Sequence, residues 1–547
     1  MCEAPYERLQ QARRAGDDRS SGGPGALPKR ARALTIGRRF FSNTLFNWLG
    51  TAAATAASIV LTPYLIRYLD AESFGIYQIS RNFIMYMALL DAGILGAVMR
   101  FSSQAIAARE DGRVNELANS ALLLYLAVAA AGLLLSALAA SAAPGFFRVD
   151  AAHAADTRAL FLGLGVWWAL TMLACPAKGI LIGHQRYGLL SLINAGSWIL
   201  TVALIVGMFM LGHVSLTMVG LAFIGGAILQ FVSFNALARW IQPTLRWTWR
   251  CVARPTLRVL YGFGMWNMLF TVSGLFLWST DSIIIGRLLG PEYVALYAIP
   301  FMLIQYGRMV GSGFVAPLIP VAAGQVDDRA ALQTTLVRAT RLGLIMTLAG
   351  NGLLVVVVED LIRLWVGAEI AEGWVIYVYL MASFWAVYAQ RTIYHVLLGA
   401  GDIRAAAVAT LAATGGTVVL KIVALDRFGL GLEAVALLNL ALVLPVMLIY
   451  VPLCGCRLAG MPLGRFYREA YLGPILAFLP VAGLGWLAHA ELAPLGLIGF
   501  AVFFGLMALA YLGLASLALA RDERRAVVEL LMRTLKRLRL RRLAASS

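Results

Sequence analysis

Charged side chains are scarce in this chain. Asp, Glu, Lys and Arg make up 13% of its 547 residues, against 61% hydrophobic residues. A soluble globular domain carries about 25% charged residues, so the main body is not surrounded by water. Acids are scarcer than bases, 28 against 45. Cysteines are few: Cys2, Cys175, Cys251, Cys454 and Cys456 form neither a disulfide framework nor a paired zinc motif. The Cys454-Gly455-Cys456 step reads as small packing residues at the end of an apolar run. A Gly-rich loop ending in Lys-Ser/Thr is missing, as is any cluster of metal-ligating residues. No catalytic residue, cofactor or metal is therefore expected, and the chain reads as a non-enzyme. Residues 1–40 lack the continuous apolar core of a signal peptide. Being rich in Arg, Gly and Ser, they read as a disordered basic tail.

What fills the chain is apolar runs. An apolar stretch of about 20 residues crosses a bilayer's hydrocarbon core as a helix. Such runs recur fourteen times, at 43–67, 74–98, 117–142, 158–182, 188–211, 216–238, 259–286, 294–322, 340–358, 374–399, 405–425, 431–453, 470–488 and 494–519. The mean hydropathy is +0.79. The expected fold class is an all-α integral membrane protein of about fourteen transmembrane helices.

The net charge of +17 does not point to nucleic acid, because nine basic residues precede residue 40 and nine follow 520. Such tails serve topology and attraction to anionic lipid. Connections on the side of the termini are basic, as in Arg239-Arg246-Arg250-Arg254-Arg258 and Arg457-Arg465-Arg468. Those opposite are short and neutral or acidic, as in Asp70/Glu72 and Asp150/Asp156. Lys and Arg stay cytoplasmic during insertion. The expectation is a multi-pass protein of the bacterial inner membrane with both termini in the cytoplasm. In the tail, Val527, Val528, Leu531, Leu535 and Leu538 share one helical face amid Arg and Lys, as in an amphipathic helix lying on the membrane.

The chain also echoes itself. Arg67, Leu69, Glu72 and Tyr77 recur 220 residues later as Arg287, Leu289, Glu292 and Tyr297, and the same shift carries Asn47 onto Asn267. Gly183-His184-Gln185-Arg186 is echoed by Gly401-Asp402-Ile403-Arg404 at a shift of 218. Each repeat spans six apolar runs, so both start on the same membrane face and are related by an axis along the membrane normal. Transporters built this way hold substrate between the halves and rock one against the other. The expected domains are a tail (1–40), an N-terminal six-helix lobe (41–240), a basic linker (241–258), a C-terminal six-helix lobe (259–456), two extra helices (457–519) and a basic amphipathic helix (520–547).

Several phrases carry a resemblance: Leu61-Thr62-Pro63-Tyr64-Leu65-Ile66-Arg67-Tyr68-Leu69 with Phe74-Gly75-Ile76-Tyr77; Leu90-Asp91-Ala92-Gly93-Ile94 with Arg100; Asp281-Ser282-Ile283-Ile284-Ile285-Gly286 with Tyr297; and Leu361-Ile362-Arg363-Leu364-Trp365-Val366-Gly367. In this order and spacing, over residues 40–520, they resemble the polysaccharide-biosynthesis, or Wzx-type, flippases of the multidrug/oligosaccharidyl-lipid/polysaccharide exporter superfamily. The resemblance implies two six-helix lobes around a central cavity, plus two extra helices. It also implies export of an undecaprenyl-diphosphate-linked oligosaccharide from the cytoplasmic to the periplasmic leaflet by alternating access, for O-antigen, capsule or exopolysaccharide.

A diphosphate crossing hydrocarbon needs cationic partners and water, and Arg binds phosphate bidentately. The candidates for substrate binding are Arg81, Arg308 and Arg391, inside the second, eighth and tenth runs. Asn47 and Asn267, matched by the repeat, are expected to bond across the lobe interface or to touch sugar. Asp91 and Asp281 read as ion-pair partners or as sites for a coupling ion. Lys178 and Lys421, near run ends, read as reaching to the membrane interface; Arg67, Arg100 and Arg287 read as structural or gating residues. The implied partners are the lipid-linked oligosaccharide and anionic lipid, then a glycan polymerase and glycosyltransferases, with no nucleic acid. Two alternatives share the superfamily: a multidrug cation antiporter, for which buried acids should outnumber bases, and a peptidoglycan-precursor flippase. A membrane glycosyltransferase or polymerase would need a larger outer loop than this chain has.

Overall fold

Helix starts follow local chemistry. The Asp70 carboxylate caps the helix at Ala71 by accepting from the Ser73 amide at 2.6 Å. Ser215 and Asp328 cap two later helices through the amides of Met218 (3.3 Å) and Ala331 (3.0 Å). Each side-chain oxygen takes an amide that the first turn would leave without a partner.

The computed structural model describes residues 50–91, 93–262, 265–312, 318–489, 496–517, 519 and 524, leaving aside the side chains of 262, 265–270, 309–312 and 320. Among the described residues the chain is helical, with no strand. The first half holds α1 (50–68), α2 (Ala71–Tyr86), α3 (Ile94–Ala107), α4 (Asp111–Phe146), α5 (Ala154–Gly183), α6 (Tyr187–Met210) and α7 (Leu216–Ile241). Then come α8 (Arg254–Gly262), α9 (Met265–Trp278), α10 (Thr280–Leu288), α11 (Pro291–Ser312) and α12 (Leu318–Ala323). The rest are α13 (Arg329–Val356), α14 (Val358–Val366), α15 (Trp374–Ala400), α16 (Arg404–Asp426), α17 (Leu432–Ala459), α18 (Leu463–Ala488) and α19 (Gly496–Leu517). Among the described residues ten helices are long and apolar enough to cross a bilayer, or eleven if the segment Ala71–Asp91 and α3, bent by 49°, form one span. That bend falls within the apolar run at 74–98. Gly93 sits there at φ +76°, a left-handed conformation that glycine adopts without steric cost. Helices also lie in the other three apolar runs, as α1, α8–α10 and α11–α12.

Small residues set the packing within the first half. A Cβ on Gly226 would fall 2.0 Å from Thr201 Oγ1, and one on Gly132 would fall 2.3 Å from the Trp168 ring. Backbones this close gain dispersion contact that lipid cannot match.

Proline adds a second rule. It has no N–H, so the carbonyl four residues earlier needs another donor. Pro63 frees Ile59, whose carbonyl accepts from Trp365 Nε1 at 2.9 Å. Pro452 frees Leu448, whose carbonyl accepts from the Tyr467 hydroxyl. The first of these bonds joins α1 to α14, across the two halves.

The echoed turns meet in space. α2 packs on α11, and the carbonyl of Pro291 would lie 1.7 Å from a Cβ at Gly75. Asn82 donates to Ser282 at 3.0 Å, and Tyr86 bonds Thr280. Apolar residues of both halves form one core at this end, including Phe74, Ile76, Ile285, Val294 and Ile299. At the opposite end the first half has a core of its own, built from Ala97, Val98, Leu117, Ala121, Ile180 and Phe234. Gly75→Ala should force α2 off a backbone atom of α11, an overpacking worth about 1–3 kcal/mol. A thermal-unfolding midpoint equal to that of the unsubstituted protein would show that this contact yields freely.

The connection after α7 is clamped. Asn115 donates to the Thr244 carbonyl (2.9 Å) and accepts from the Arg246 amide (2.7 Å). One turn on, Asn119 donates to the Arg246 carbonyl (2.8 Å) and accepts from the Thr248 amide (2.7 Å). Two amides on α4 thus satisfy the connection as a neighbouring strand would. α8, which crosses the expected linker boundary at 258, packs on α3 and α4, and its Leu260 joins the first half's separate core.

Candidate binding site between the halves

Arg81 lies ten residues into α2, about 15 Å from its start at 1.5 Å per residue. Its guanidinium sits over the rings of Tyr77 (5.6 Å) and Trp198 (5.9 Å) and donates to the Tyr77 hydroxyl at 3.3 Å. Among the described residues it has no carboxylate partner. It faces a cavity of ≈ 330 Å³ walled by α1 (Thr51, Thr55, Ser58), α6 (Asn194, Trp198) and Tyr306 of α11. That volume is at the low end for a ligand pocket. The walls are hydroxyls, an amide and aromatic faces, which suits a polar ligand.

Two residues beyond Tyr306 lies Arg308, whose guanidinium rests 5.3 Å from the Trp278 ring. Trp278 in turn stacks on Tyr388 and Phe384. Among the described residues Arg308 Nε is buried with no hydrogen-bond partner, and so are Gln305 Oε1 and Gln390 Oε1. Buried polar atoms are nearly always bonded, so the unmet Arg308 Nε, which faces a cavity, suits a ligand or water there. Arg308 and Arg391 line one cavity of ≈ 20 Å³ with Gly343, Thr347, Tyr388 and Thr392, room for about one water. Arg391 likewise has no carboxylate partner among the described residues.

The embedded acids are occupied. Asp281 accepts from Lys421 Nζ at 2.6 Å and from the Tyr297 hydroxyl, and Lys421 also donates to Asn439 Oδ1 at 3.1 Å. This joins α10, α11, α16 and α17. Lys421 is 1% exposed and Asp281 3%. Lys421, expected to reach toward the membrane interface, is therefore corrected: it turns inward to a buried carboxylate. A cation in so dry a place persists because it is paired and hydrogen-bonded. Asp91 accepts from the buried Tyr125 hydroxyl at 2.6 Å, beside the Gly93 bend and apart from the Asp281 cluster.

The structure thus brings Arg308 and Arg391 into one cavity and sets Arg81 in a neighbouring one, with α11 lining both. It groups neither aspartate with these arginines. The readings placed on Asn47 and on the Asn267 side chain lie outside the described residues, as does the basic amphipathic helix at 520–547 apart from Arg524. Sequence reasoning missed Tyr77, Trp198, Trp278 and Tyr306, the aromatic faces against which the cations lie. Tyr306, two residues before Arg308, was the nearest available signal.

Comparison with known proteins agrees with this architecture. The chain is 24% identical over 467 residues to the uncharacterized membrane protein EpsK of Bacillus subtilis, covering 82% of this chain and 88% of that protein. It is 22% identical over 263 residues to a candidate O-antigen transporter of Shigella flexneri, covering 47% of this chain and 60% of the relative. In fold it is similar to an inward-facing multidrug resistance transporter of the MATE family and MOP superfamily. There the TM-score is 0.61 at 17% identity, covering 76% of this chain and 96% of the other. It is also similar to the lipid II flippase MurJ in an inward closed conformation, with a TM-score of 0.60 at 15% identity, covering 86% and 98%. The profile of the polysaccharide biosynthesis protein family matches residues 40–324, more than half of the chain, and this protein belongs to that family.

Proposed function

We infer that the chain moves a lipid-linked, diphosphate-bearing oligosaccharide from the cytoplasmic to the periplasmic leaflet by alternating access. The carrying observation is the charge of the interior. Arg81, Arg308 and Arg391 have no carboxylate partner among the described residues, while the deepest acid, Asp281, is neutralised by Lys421. An anionic headgroup would complete this arrangement, whereas a cationic drug would meet three like charges. In this reading the two halves are the rocking lobes, all fourteen apolar runs cross the bilayer, and both termini and the 241–254 connection face the cytoplasm. The shared core at the α2–α11 end supports a state closed on the periplasmic side. The lipid-linked class includes peptidoglycan precursor, so the test must resolve the glycan.

The experiment uses proteoliposomes holding the full chain and a polyprenyl-diphosphate-linked glycan, with a lectin or glycosidase outside to report the leaflet. Protein-dependent appearance of the glycan in the far leaflet is expected. Equal rates with and without protein, or export of a lipophilic cation in its place, would sink the reading.

A further inference from the structure

A second basic cavity lies away from the three buried arginines. It measures ≈ 200 Å³ between α13 and α18, lined by Gln333, Thr334, Arg338, Arg341, Arg465 and Glu469. Gly343 and Thr347 of α13 face the Arg308–Arg391 cavity. At 100° per residue they fall roughly opposite Arg338 and Arg341, so the two cavities flank α13 on different faces.

We propose that this cavity binds the phosphate of an anionic membrane lipid. Among the described residues three guanidiniums and one carboxylate line it, an excess of positive charge. Arg465 Nε pairs with Glu469 Oε1 at 2.7 Å, and the terminal nitrogens of Arg465 have no protein partner among the described residues. Arginine forks match the oxygens of a phosphate.

The depth is that of lipid headgroups. The apolar runs of α13 and α18 begin at residues 340 and 470, and the three arginines and Glu469 all lie within five residues of those starts. This is also the end that the charge asymmetry assigns to the cytoplasm. Basic pockets between membrane helices on that side attract anionic headgroups.

The backbone is shaped to hold the pocket open. α18 makes a π-turn over Arg468–Leu472, a rare feature that recurs at functional sites. In that register the Glu469 carbonyl would take its hydrogen bond from residue 474, which is Pro474 and has no N–H. Arg341 Nε fills the vacancy at 2.9 Å. The π-turn thus fixes one wall guanidinium, while Gln333 Nε2 ties α13 to the α17–α18 turn through the Ala459 carbonyl at 3.0 Å.

The test is thermal unfolding of the purified full chain in detergent, titrated with phosphatidylglycerol, phosphatidylcholine or orthophosphate. Phosphatidylglycerol should raise the midpoint, and the other two should not. The double variant Arg338→Gln/Arg465→Gln, with each shift read against its own midpoint in phosphatidylcholine, should bind phosphatidylglycerol about 30-fold more weakly. Glu469→Gln, which removes the competing carboxylate, should enlarge the phosphatidylglycerol shift. The proposal falls if phosphatidylcholine acts equally, if the double variant responds as the parent does, or if Glu469→Gln shrinks the shift. A shift with millimolar orthophosphate that vanishes in the double variant would reassign the cavity to a soluble phosphate.

Discussion

A chain carrying Arg308→Ala and Arg391→Ala will insert and fold but will lose glycan movement by about two orders of magnitude. A hydrogen bond to a charged group contributes about 1.5–3 kcal/mol, and about 1.4 kcal/mol is a factor of ten. Removing both cations therefore costs at least tenfold for each. Neither arginine has a carboxylate partner among the described residues, so truncation strands no buried acid. Two like charges sharing one small cavity also repel, so the unfolding midpoint should hold or rise. The pair Arg308→Lys and Arg391→Lys should restore part of the rate, because Lys keeps the charge and loses the fork. Undiminished transport in the alanine variant would remove both residues from the site.

Lys421→Met will be the most destabilising single change in the second half, by about 3–5 kcal/mol, because it leaves the Asp281 carboxylate buried and unpaired. Adding Asp281→Asn in the same chain should recover most of that loss, since the neutral amide still bonds Tyr297 and Asn439 lies close by. The measurement is the denaturation midpoint of the two single variants and the double variant. Additive losses in the double variant would mean that the pair is not coupled, contrary to its 2.6 Å separation.

Much of the architecture could be read from residue order. The runs of α4–α7 and α15–α19 were visible as apolar stretches because a bilayer rewards uniform composition over a fixed length. The echo of Arg67-to-Tyr77 in Arg287-to-Tyr297 marked the turns that later proved to touch, at Gly75 and Pro291. The Gly93 bend was not legible, because a single Gly in an apolar run has many uses. Lys421 was misplaced for a definable reason: it was read by its distance from the run end at 425. A better signal was present. Thr410, Thr414 and Thr417 lie with Lys421 at helical spacing and are all buried, a polar stripe that faces protein and not lipid. Arg81, Arg308 and Arg391 could each be placed within a run, but which of them share a cavity depends on how three helices cross. The π-turn at Arg468–Leu472 showed only as Pro474, one proline among eighteen.

The amide clamp of Asn115 and Asn119 has a mechanical consequence. A loose strap between two rocking bodies would absorb displacement along its whole length, like slack in a rope. Here residues 244–248 ride rigidly on α4, and Leu260 of α8 is sunk in the same body. The slack is thereby removed, and the connection moves with the first half as far as Leu260. Cutting the clamp would lengthen the lever arm without touching a single cavity residue.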